Sequence, residues 1–173
     1  FRPAYSYVDT TLNHVVCVCA EQERSAEAAQ LQKRSLTIDE KAFGQEHPDV
    51  ANSHNILGHL SPEQGRYTDA RQLYNRALAI MEKAFGPEHT YVATTLNNLA
   101  SAYADQGRYA EAEQLQKRSP TIDEKDFGPE HPDVAMSLNN LGLLYTEHGR
   151  YAEAEQLYNR ALAIMDKAFG PEQ

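Results

Sequence analysis

The sequence carries histidines and carboxylates that could in principle bind a metal ion or transfer protons. His47, His89 and His131 follow one another at intervals of 42 residues, and many acidic residues recur at the same interval. A metal site or a catalytic acid–base pair requires side chains that converge on one point. Side chains that recur at a fixed interval are typical of a repeated architecture instead. We therefore predict no catalytic residue, no metal site and no cofactor.

The remaining candidate clusters have structural explanations. His54 and His59 are five residues apart, a spacing that places them poorly for sharing one ion. Asp123 and Glu124 precede Lys125, which predicts an ion-paired cluster on the surface of a helix. The sequence has no Gly-rich phosphate loop, no nucleophile elbow and no His-Glu-x-x-His motif. It therefore favours a non-catalytic protein over an enzyme.

Composition limits the class of fold and of partner. The 173 residues are rich in Ala, Leu, Glu and Gln and lack the Val/Ile runs of a buried sheet, which predicts an all-α fold. A formal charge of -9 disfavours nucleic acid and anionic membranes and favours neutral or basic protein partners. Cys17 and Cys19 would point to different faces of a helix, so neither a disulfide nor a zinc site is indicated. Without a signal peptide or an apolar membrane span, we expect a cytoplasmic protein.

A shift of 42 residues aligns the sequence with itself and reveals four copies of one unit. Copies two to four share a Gly-Arg-Tyr motif, at 65–67, 107–109 and 149–151, and all four have a Phe-Gly motif, at 43–44, 85–86, 127–128 and 169–170. We predict repeats at about 5–46, 47–88, 89–130 and 131–173, the first of them degenerate. Both ends fall inside the pattern, so we expect residues 1–173 to be one array and a fragment of a longer one.

The copies are also related in pairs. Copies one and three share Gln-Lys-Arg-Ser and Thr-Ile-Asp-Glu-Lys, whereas copies two and four share Tyr-Asn-Arg-Ala-Leu-Ala-Ile-Met. This longer period of 84 residues indicates that two repeats were duplicated together.

Each repeat is predicted to be two helices joined by a turn. In copy four, Val134, Leu138, Leu141 and Tyr145 form one apolar stripe on a helix from about 132 to 148. After a turn at Gly149-Arg150, a second helix extends to about 168. One pair of helices cannot cover its own apolar face, so neighbouring pairs must stack. The sequence therefore predicts a right-handed α-solenoid of eight helices with a concave inner groove. The predicted buried side of the second helix consists of Ala154, Leu157, Ala161, Leu162, Ile164 and Met165.

Small residues and prolines modify this pattern. Gly58 and Gly142 recur where the first helix must approach its neighbour closely. Pro120 falls inside the second helix of copy three, where it removes a backbone donor, and predicts a kink. Pro62 is expected to shorten the first helix of copy two.

Residues 138–142, the Gly-Arg-Tyr turn, Ala154, Tyr158, Ala161 and Leu162 together resemble the tetratricopeptide repeat. The 42-residue period and the connector Phe-Gly-Pro-Glu-His-Pro-Asp-Val-Ala, at 127–135, resemble its kinesin-light-chain subtype. The resemblance covers essentially the whole chain. It implies an adaptor that binds a cargo protein or a peptide in the groove.

The resemblance also implies which residues line the groove, namely first-helix residues on the side away from the apolar stripe. An asparagine recurs there once per repeat, and a carboxamide suits gripping the main chain of an extended peptide. Alternatively, each asparagine bonds to the neighbouring helix. The predicted peptide-binding residues are Asn13, His14, Asn55, Ile56, His59, Asn97, Asn98, Asn139 and Asn140.

An acidic residue also recurs once per repeat along one rim of this groove, at Glu21, Glu63, Asp105 and Glu147. It could attract Lys/Arg-rich segments or be an ordinary solvated face. None of the selected groove positions holds Lys or Arg, so we reject recognition of a free C-terminal carboxylate.

Two functions therefore compete. The first is a protein–protein interaction scaffold that binds a peptide or helix of a partner. The second is end-to-end stacking on the rest of the parent chain or on another copy, because apolar residues at both ends would otherwise meet water. These are Val8, Leu12 and Val15 at one end and Ile164, Met165 and Phe169 at the other.

Overall fold

The computed structural model describes residues 25–61 and 67–170, which form eight helical segments and no strand. The all-α class is confirmed for this part of the chain. The segments are not the eight helices predicted, because the first helix of copy one lies outside the described residues and the second helix of copy three is divided. They are α1 Ser25–Phe43, α2 Pro48–Leu60, α3 Tyr67–Phe85, α4 Thr90–Ala104, α5 Tyr109–Gln116, α6 Arg118–Phe127, α7 Pro132–Glu147 and α8 Tyr151–Phe169.

The chain divides into two compact units, residues 1–84 and 85–173. The described part of the first unit contains α1, α2 and nearly all of α3. The second unit contains α4 to α8, which are the helices of copies three and four.

The repeated histidines begin the first helices. The backbone N–H groups of Asp49, Tyr91 and Asp133 donate to Nδ1 of the histidine two residues earlier, at 3.2–3.3 Å. Each histidine also stacks on the phenylalanine that ends the preceding helix, with ring centroids 4.5–4.8 Å apart. The imidazole thus satisfies a donor that the helix leaves unpaired at its start. This local architecture explains why His47, His89 and His131 recur.

Ion pairs between a connector and the following second helix also recur. Glu46 pairs with Lys83 at 3.1 Å and with Arg76 at 3.2 Å. The same spacing of 37 residues joins Glu88 to Lys125 and Glu130 to Lys167. Each connector is therefore tied to the helix that follows it.

In the first unit, α1 and α2 pack through buried polar groups. Nε2 of Gln32 donates to Oγ of Ser53 at 3.0 Å, and that hydroxyl donates to Oδ2 of Asp39 at 3.1 Å. All three side chains are buried. The buried residues of α3 are apolar by contrast: Ala70, Tyr74, Ala77, Ile80 and Met81.

In the second unit, the predicted stripe of α7 is confirmed, because its four residues are at most 6% exposed. Its first half packs against Ala161 and Ile164 of α8, and its second half against Ala100 and Ala112. The assignment of Leu162 to the buried side of α8 is wrong, since Leu162 is 59% exposed. Successive residues point about 100° apart around a helix, so the burial of Ala161 turns Leu162 outward.

The close approach predicted at Gly58 and Gly142 is confirmed. A Cβ at Gly58 would lie 2.6 Å from the ring of Tyr74, and one at Gly142 would lie 2.8 Å from that of Tyr158. These glycines are required for space rather than for backbone freedom. In copy three, Ala100 takes the place of the glycine and Gln116 takes the place of the tyrosine. The methyl group of the alanine therefore occurs where no aromatic ring occupies the space.

The second helix of copy three is interrupted at Lys117, between α5 and α6. Pro120 has no N–H with which to reach the carbonyl of Gln116. Lys117 keeps helical dihedral angles, with φ -65° and ψ -24°, so the chain continues in a helical direction. The structure thus has an interruption of the helix three residues before Pro120, and the kink itself stays a prediction.

The first helix of copy two, α2, has 13 residues, against 15 in α4 and 16 in α7. It ends at Leu60, just before Pro62, and the predicted shortening is confirmed. Pro62 itself lies outside the described residues.

The turn between α7 and α8 is fixed by an ion-pair network. Gly149 has a positive φ of 76°, and the guanidinium of Arg150 lies over the ring of Tyr145, 4.0 Å from its centroid. Arg150 and Lys117 both pair with Glu113 at 2.6 Å, and the Tyr145 hydroxyl donates to Glu113 at 2.9 Å. Burial raises the pKa of Glu113, but these hydrogen bonds outweigh it and lower the pKa to about 2.

Candidate functional site

A cleft lies between α4 and α7 in the second unit, with α5 and α6 as its floor. It consists of two cavities, of about 210 Å³ and about 340 Å³. Asn97, Asn98 and Asn140 line both of them, so the cavities adjoin. The smaller cavity extends to Asp105 and Glu147 on the acidic rim. The cleft therefore lies between the first helices of copies three and four.

Five of the predicted site residues meet in this cleft: Asn97, Asn98, Asn140, Asp105 and Glu147. Asn139 is exposed on α7 but does not line either cavity. Of the described residues that line the cavities, none is Lys or Arg. The local surface is thus polar and acidic, which fits a neutral or basic ligand.

Asn97 has an internal hydrogen bond. Nε2 of Gln116, on the floor, donates to Oδ1 of Asn97 at 2.7 Å. Bonding to the neighbouring helix is the alternative that the sequence left open, and it holds for the carbonyl of Asn97. Its neighbours in the cleft, Asn98 and Asn140, are half-buried and exposed respectively. These two carboxamides are therefore the better placed for a ligand.

One stripe of α7 faces the cleft with apolar as well as polar groups. Met136, Asn140, Leu143 and Glu147 follow at spacings of four, three and four residues, which places them on one face of the helix. Met136 is 61% exposed and Leu143 is 53% exposed. Exposed apolar side chains in a concave surface are characteristic of binding sites. At the corresponding positions α4 has the smaller Thr94 and Ser101, so the apolar wall belongs to copy four alone.

The floor of the larger cavity holds a buried carboxylate. Asp123 is only 5% exposed, and its Oδ2 accepts a hydrogen bond from the hydroxyl of Ser137. Ser137 also contacts the hydroxyl of Ser119, at 2.9 Å. Burial raises the pKa of Asp123, against the lowering effect of the Ser137 hydroxyl. This carboxylate is thus held in a surrounding that penalises its charge.

The prediction of an ion-paired surface cluster at Asp123, Glu124 and Lys125 is wrong for Asp123, which is buried. Lys125 pairs with Glu88, and Glu124 pairs with Arg160 at 2.6 Å. Asp123 instead turns inward, because its position on the helix is the one that Met165 occupies in copy four. The sequence contained that signal, since Met165 was assigned to the buried side.

The predicted residues of copy two lie in the first unit, on α2. Asn55 is half-buried and His59 is exposed. Ile56 packs against the cluster of Ala28, Ala29 and Leu60, so part of its side chain belongs to the core. Asn13, His14, Glu21 and Glu63 lie outside the described residues.

Within residues 25–61 and 67–170, no three His, Cys, Asp or Glu side chains are close enough together to hold a metal ion. Across the same residues, each helix is too short or too polar to cross a membrane. These two findings concern the described part of the chain alone.

Sequence reasoning missed the floor of the cleft. Gln116 and Asp123 lie on the second helix, whereas the prediction took groove residues from first helices only. Their positions could have been found from the longer period, because copies one and three hold Gln and Asp where copies two and four hold Tyr and Met. Polar residues in two copies, at positions that hold Tyr or Met in the other two, indicate a polar surface that those other copies lack.

Models of the tetratricopeptide repeat match residues 10–49, 62–125 and 91–167. The fold is similar to that of BtubC (BKLC) from P. vanneervenii, with a TM-score of 0.82 and 23% identity over 95% of this chain and 66% of that one. This chain thus spans slightly less than two thirds of the BtubC structure. A search of curated proteins finds no significant match.

Two further structures share the fold. One is the Podosopora anserina putative kinesin light chain with nearly identical TPR-like repeats, with a TM-score of 0.73 and 23% identity over 98% of this chain and 91% of that one. The other is the apo form of RapI, with a TM-score of 0.76 and 17% identity over 94% of this chain and 57% of that one. At these identities the likeness concerns the fold alone.

Proposed function

Because the chain belongs to the tetratricopeptide repeat family, with repeats of the kinesin-light-chain-like type, we propose that it is a non-catalytic protein–protein interaction scaffold. Its ligand is a peptide or helix of a partner protein, bound in the cleft between α4 and α7. Fold alone does not assign a function, so the proposal rests on the cleft itself.

The observation that carries the proposal is the combination of side chains along α7. Asn140 offers two donors and an acceptor for a peptide main chain, and it lies between the exposed Met136 and Leu143. Peptide sites commonly join main-chain hydrogen bonds to pockets for alternate side chains. The cleft offers both on one helix, and Asn98 faces it from the opposite wall.

The wider architecture is part of the same proposal. Four repeats, at about 5–46, 47–88, 89–130 and 131–173, would form one right-handed solenoid whose groove continues the cleft. In that array, Asn13, Asn55, Asn97 and Asn139 form one row and the acidic residues form a rim that attracts basic segments. A cytoplasmic setting, and a parent protein with further repeats, complete this picture.

The test is a screen of capped peptides of basic, acidic and apolar composition, with affinities measured by fluorescence anisotropy. For a bound peptide, we expect Asn98→Ala and Asn140→Ala each to weaken binding about fivefold, as the loss of one hydrogen bond of about 1 kcal/mol requires. We expect a similar loss for Leu143→Ala, because it removes apolar area from the contact.

Matched controls lie on α8. Asn159→Ala removes an exposed carboxamide, and Leu162→Ala removes an exposed leucine, both away from the cleft. These variants should bind like the unaltered protein. A protein that binds no peptide of the screen, or cleft variants that bind as tightly as the controls, would contradict the proposal.

A second candidate, end-to-end self-association, is favoured by one observation. Tyr158, Leu162 and Phe169 on α8 are 37%, 59% and 73% exposed. Analytical ultracentrifugation tests it, since stacking would raise the mass with concentration and Leu162→Glu would abolish the rise. A constant monomer mass across the micromolar to millimolar range excludes this function.

A further inference from the structure

The larger cavity of the cleft contains a carboxylate with incomplete partners. Asp123 is only 5% exposed, and it is therefore 95% buried. Its Oδ2 accepts from Ser137, whereas its Oδ1 has no hydrogen bond within the described residues. A buried carboxylate normally accepts several hydrogen bonds or pairs with a cation. Asp123 therefore has the capacity to accept a further partner from the cavity that it lines.

The chain does not supply that partner from the described residues. The nearest lysines in sequence are engaged elsewhere, Lys117 with Glu113 and Lys125 with Glu88. Arg160, from the neighbouring helix, pairs with Glu124. His131 has only an electrostatic effect on Asp123, and its Nδ1 accepts from the backbone N–H of Asp133. A cation that bonds directly to Asp123 would thus come from outside the described part of the chain.

The rest of the cavity suits a long basic side chain. Asp133 adds a second carboxylate, and Asn98 and Asn140 add carbonyl oxygens. Phe127 and Met136, 46% and 61% exposed, provide apolar walls for a methylene stem. The volume of about 340 Å³ lies at the lower end of the usual range for ligand sites.

We propose that this cavity binds the cationic side chain of a lysine or arginine in the partner peptide, with Asp123 as the buried acceptor. This inference rests on the proposed function and names the chemistry of the ligand. A cation here forms a charge-assisted hydrogen bond and removes the cost of a lone buried charge.

The electrostatics of the cavity agree with this assignment. The pKa of Asp123 is raised by burial first, and the nearby carboxylates Asp133 and Asp126 raise it further. The Ser137 hydroxyl and His131 have the opposite effect. Burial and these two carboxylates thus outweigh the Ser137 hydroxyl and His131, and a bound cation would counteract them.

This pocket is not a general property of the repeat. Copies two and four have methionine at the position of Asp123, namely Met81 and Met165, whereas copy one has the buried Asp39, which accepts from Ser53. An aspartate required only to solvate the helix would be exposed, whereas Asp123 is buried at the floor of a cleft. The cleft of copies three and four thus differs chemically from one built on an apolar floor.

The experiment compares four capped peptide libraries that differ only at a fixed central residue: lysine, arginine, norleucine or citrulline. Binding is measured by competition in fluorescence anisotropy. We expect the lysine or the arginine library to bind about tenfold or more tightly than its uncharged analogue, from the strength of a hydrogen bond to a charged group. Asp123→Asn should abolish this preference, because the amide still accepts from Ser137 but carries no charge.

Controls separate the outcomes. Asp166→Asn, at an exposed position of α8, should keep the preference, and circular dichroism must show that both variants are folded. Equal binding of lysine and norleucine libraries to the unaltered protein overturns the inference. A preference retained in Asp123→Asn also overturns it, since the cation would then bind at the Asp105–Glu147 rim.

Failure of the inference differs from failure of the scaffold function. If Asn98→Ala and Asn140→Ala weaken every library and no charge preference exists, the cleft binds peptides but not through this pocket. If no library binds, both proposals are wrong.

Discussion

The second helices of copies three and four begin with the same seven residues and then diverge. Tyr-Ala-Glu-Ala-Glu-Gln-Leu begins both α5 and α8. Beyond it, copy three buries Gln116, Ser119 and Asp123 in an interrupted helix, α5 and α6. The corresponding residues of α8 are Tyr158, Ala161 and Met165, in one continuous helix of 19 residues. The repeat unit is therefore constant in length and position but not in the polarity of this face.

The comparison shows that the 42-residue period determines where the helices begin and meet, but not whether the buried residues are polar or apolar. Both helices start with the same turn and approach the first helix at a shared alanine, Ala112 or Ala154. A few substitutions then exchange apolar contacts for a hydrogen-bonded network with Ser137 and Asn97. Polar chemistry can thus be placed in alternate copies, one and three, without altering the length of the repeat.

The largest expected effect comes from giving α8 the proline of copy three. Leu162→Pro removes a backbone hydrogen bond within the helix and should lower the free energy of unfolding by about 3 kcal/mol. The leucine side chain is mostly exposed, so little packing is lost with it. Urea denaturation measures the change, and Leu162→Ala, which keeps the N–H group, is the control. Equal stability of the proline and alanine variants would contradict the explanation of the interruption at Lys117.

The next effect tests the pairing of small and large residues. Gly142→Ala should cost about 1–3 kcal/mol, because the new Cβ meets the ring of Tyr158. Alanine is otherwise the better helix former by about 1 kcal/mol, so a loss of stability cannot come from helix propensity. Adding Tyr158→Gln should restore most of the loss, since Ala100 and Gln116 coexist in copy three. A double-mutant cycle measures the coupling, and strict additivity would exclude the proposed contact.

A smaller effect concerns Glu113, which joins Lys117, Tyr145 and Arg150. Glu113→Gln should reduce stability at neutral pH by about 1 kcal/mol. The folded-state pKa of Glu113 is lowered from 4.5 to about 2, so its contribution is complete above pH 4.5 and is lost as the pH falls toward 2. The gap between the two proteins in thermal unfolding should therefore narrow over that range. Glu155→Gln, at the same position of α8, should show no such gap.

The smallest effect is expected for Asp123→Asn and has the opposite sign. The pKa of Asp123 is raised, so its buried charge destabilises the unaltered protein above that pKa. Protonation of the carboxylate on acidification removes this destabilisation. The variant should be as stable or slightly more stable at neutral pH, by less than about 1 kcal/mol. This advantage should decrease as the pH falls through the raised pKa and be absent below 3.8, the ordinary value for Asp. An advantage that grows in acid would show that the charge is stabilised by an unrecognised partner.

Much of the fold could be predicted because its signals are local. The stripe of Val134, Leu138, Leu141 and Tyr145 shows which face of α7 is buried, and Pro120 shows where a backbone hydrogen bond must fail. Periodicity assigned Leu162 wrongly, because a row of apolar residues on α8 is wider than the face that packing covers. The sequence alone does not show how much of an apolar helix face a neighbouring helix covers.

The site was predictable only in part. The residues of the two first helices followed from the repeat, and five of them meet in the cleft. The burial of Asp123 did not follow, because a charged residue beside Lys125 reads as surface until the helix is placed against its neighbours. Nor did the bond between Gln116 and Asn97, which depends on the distance between two helices.

The recurring pairs of glutamate and lysine, Glu46–Lys83, Glu88–Lys125 and Glu130–Lys167, each span 37 residues, fewer than one repeat. A recombination event that inserts or deletes 42 codons therefore leaves each glutamate with a lysine 37 residues later, either its own or the equivalent lysine of a neighbouring copy. Every descendant gene encodes connectors that are already matched to their helices. The array can consequently gain or lose whole repeats during evolution without leaving one of these charges unpaired, and new copies remain free to diverge at other positions.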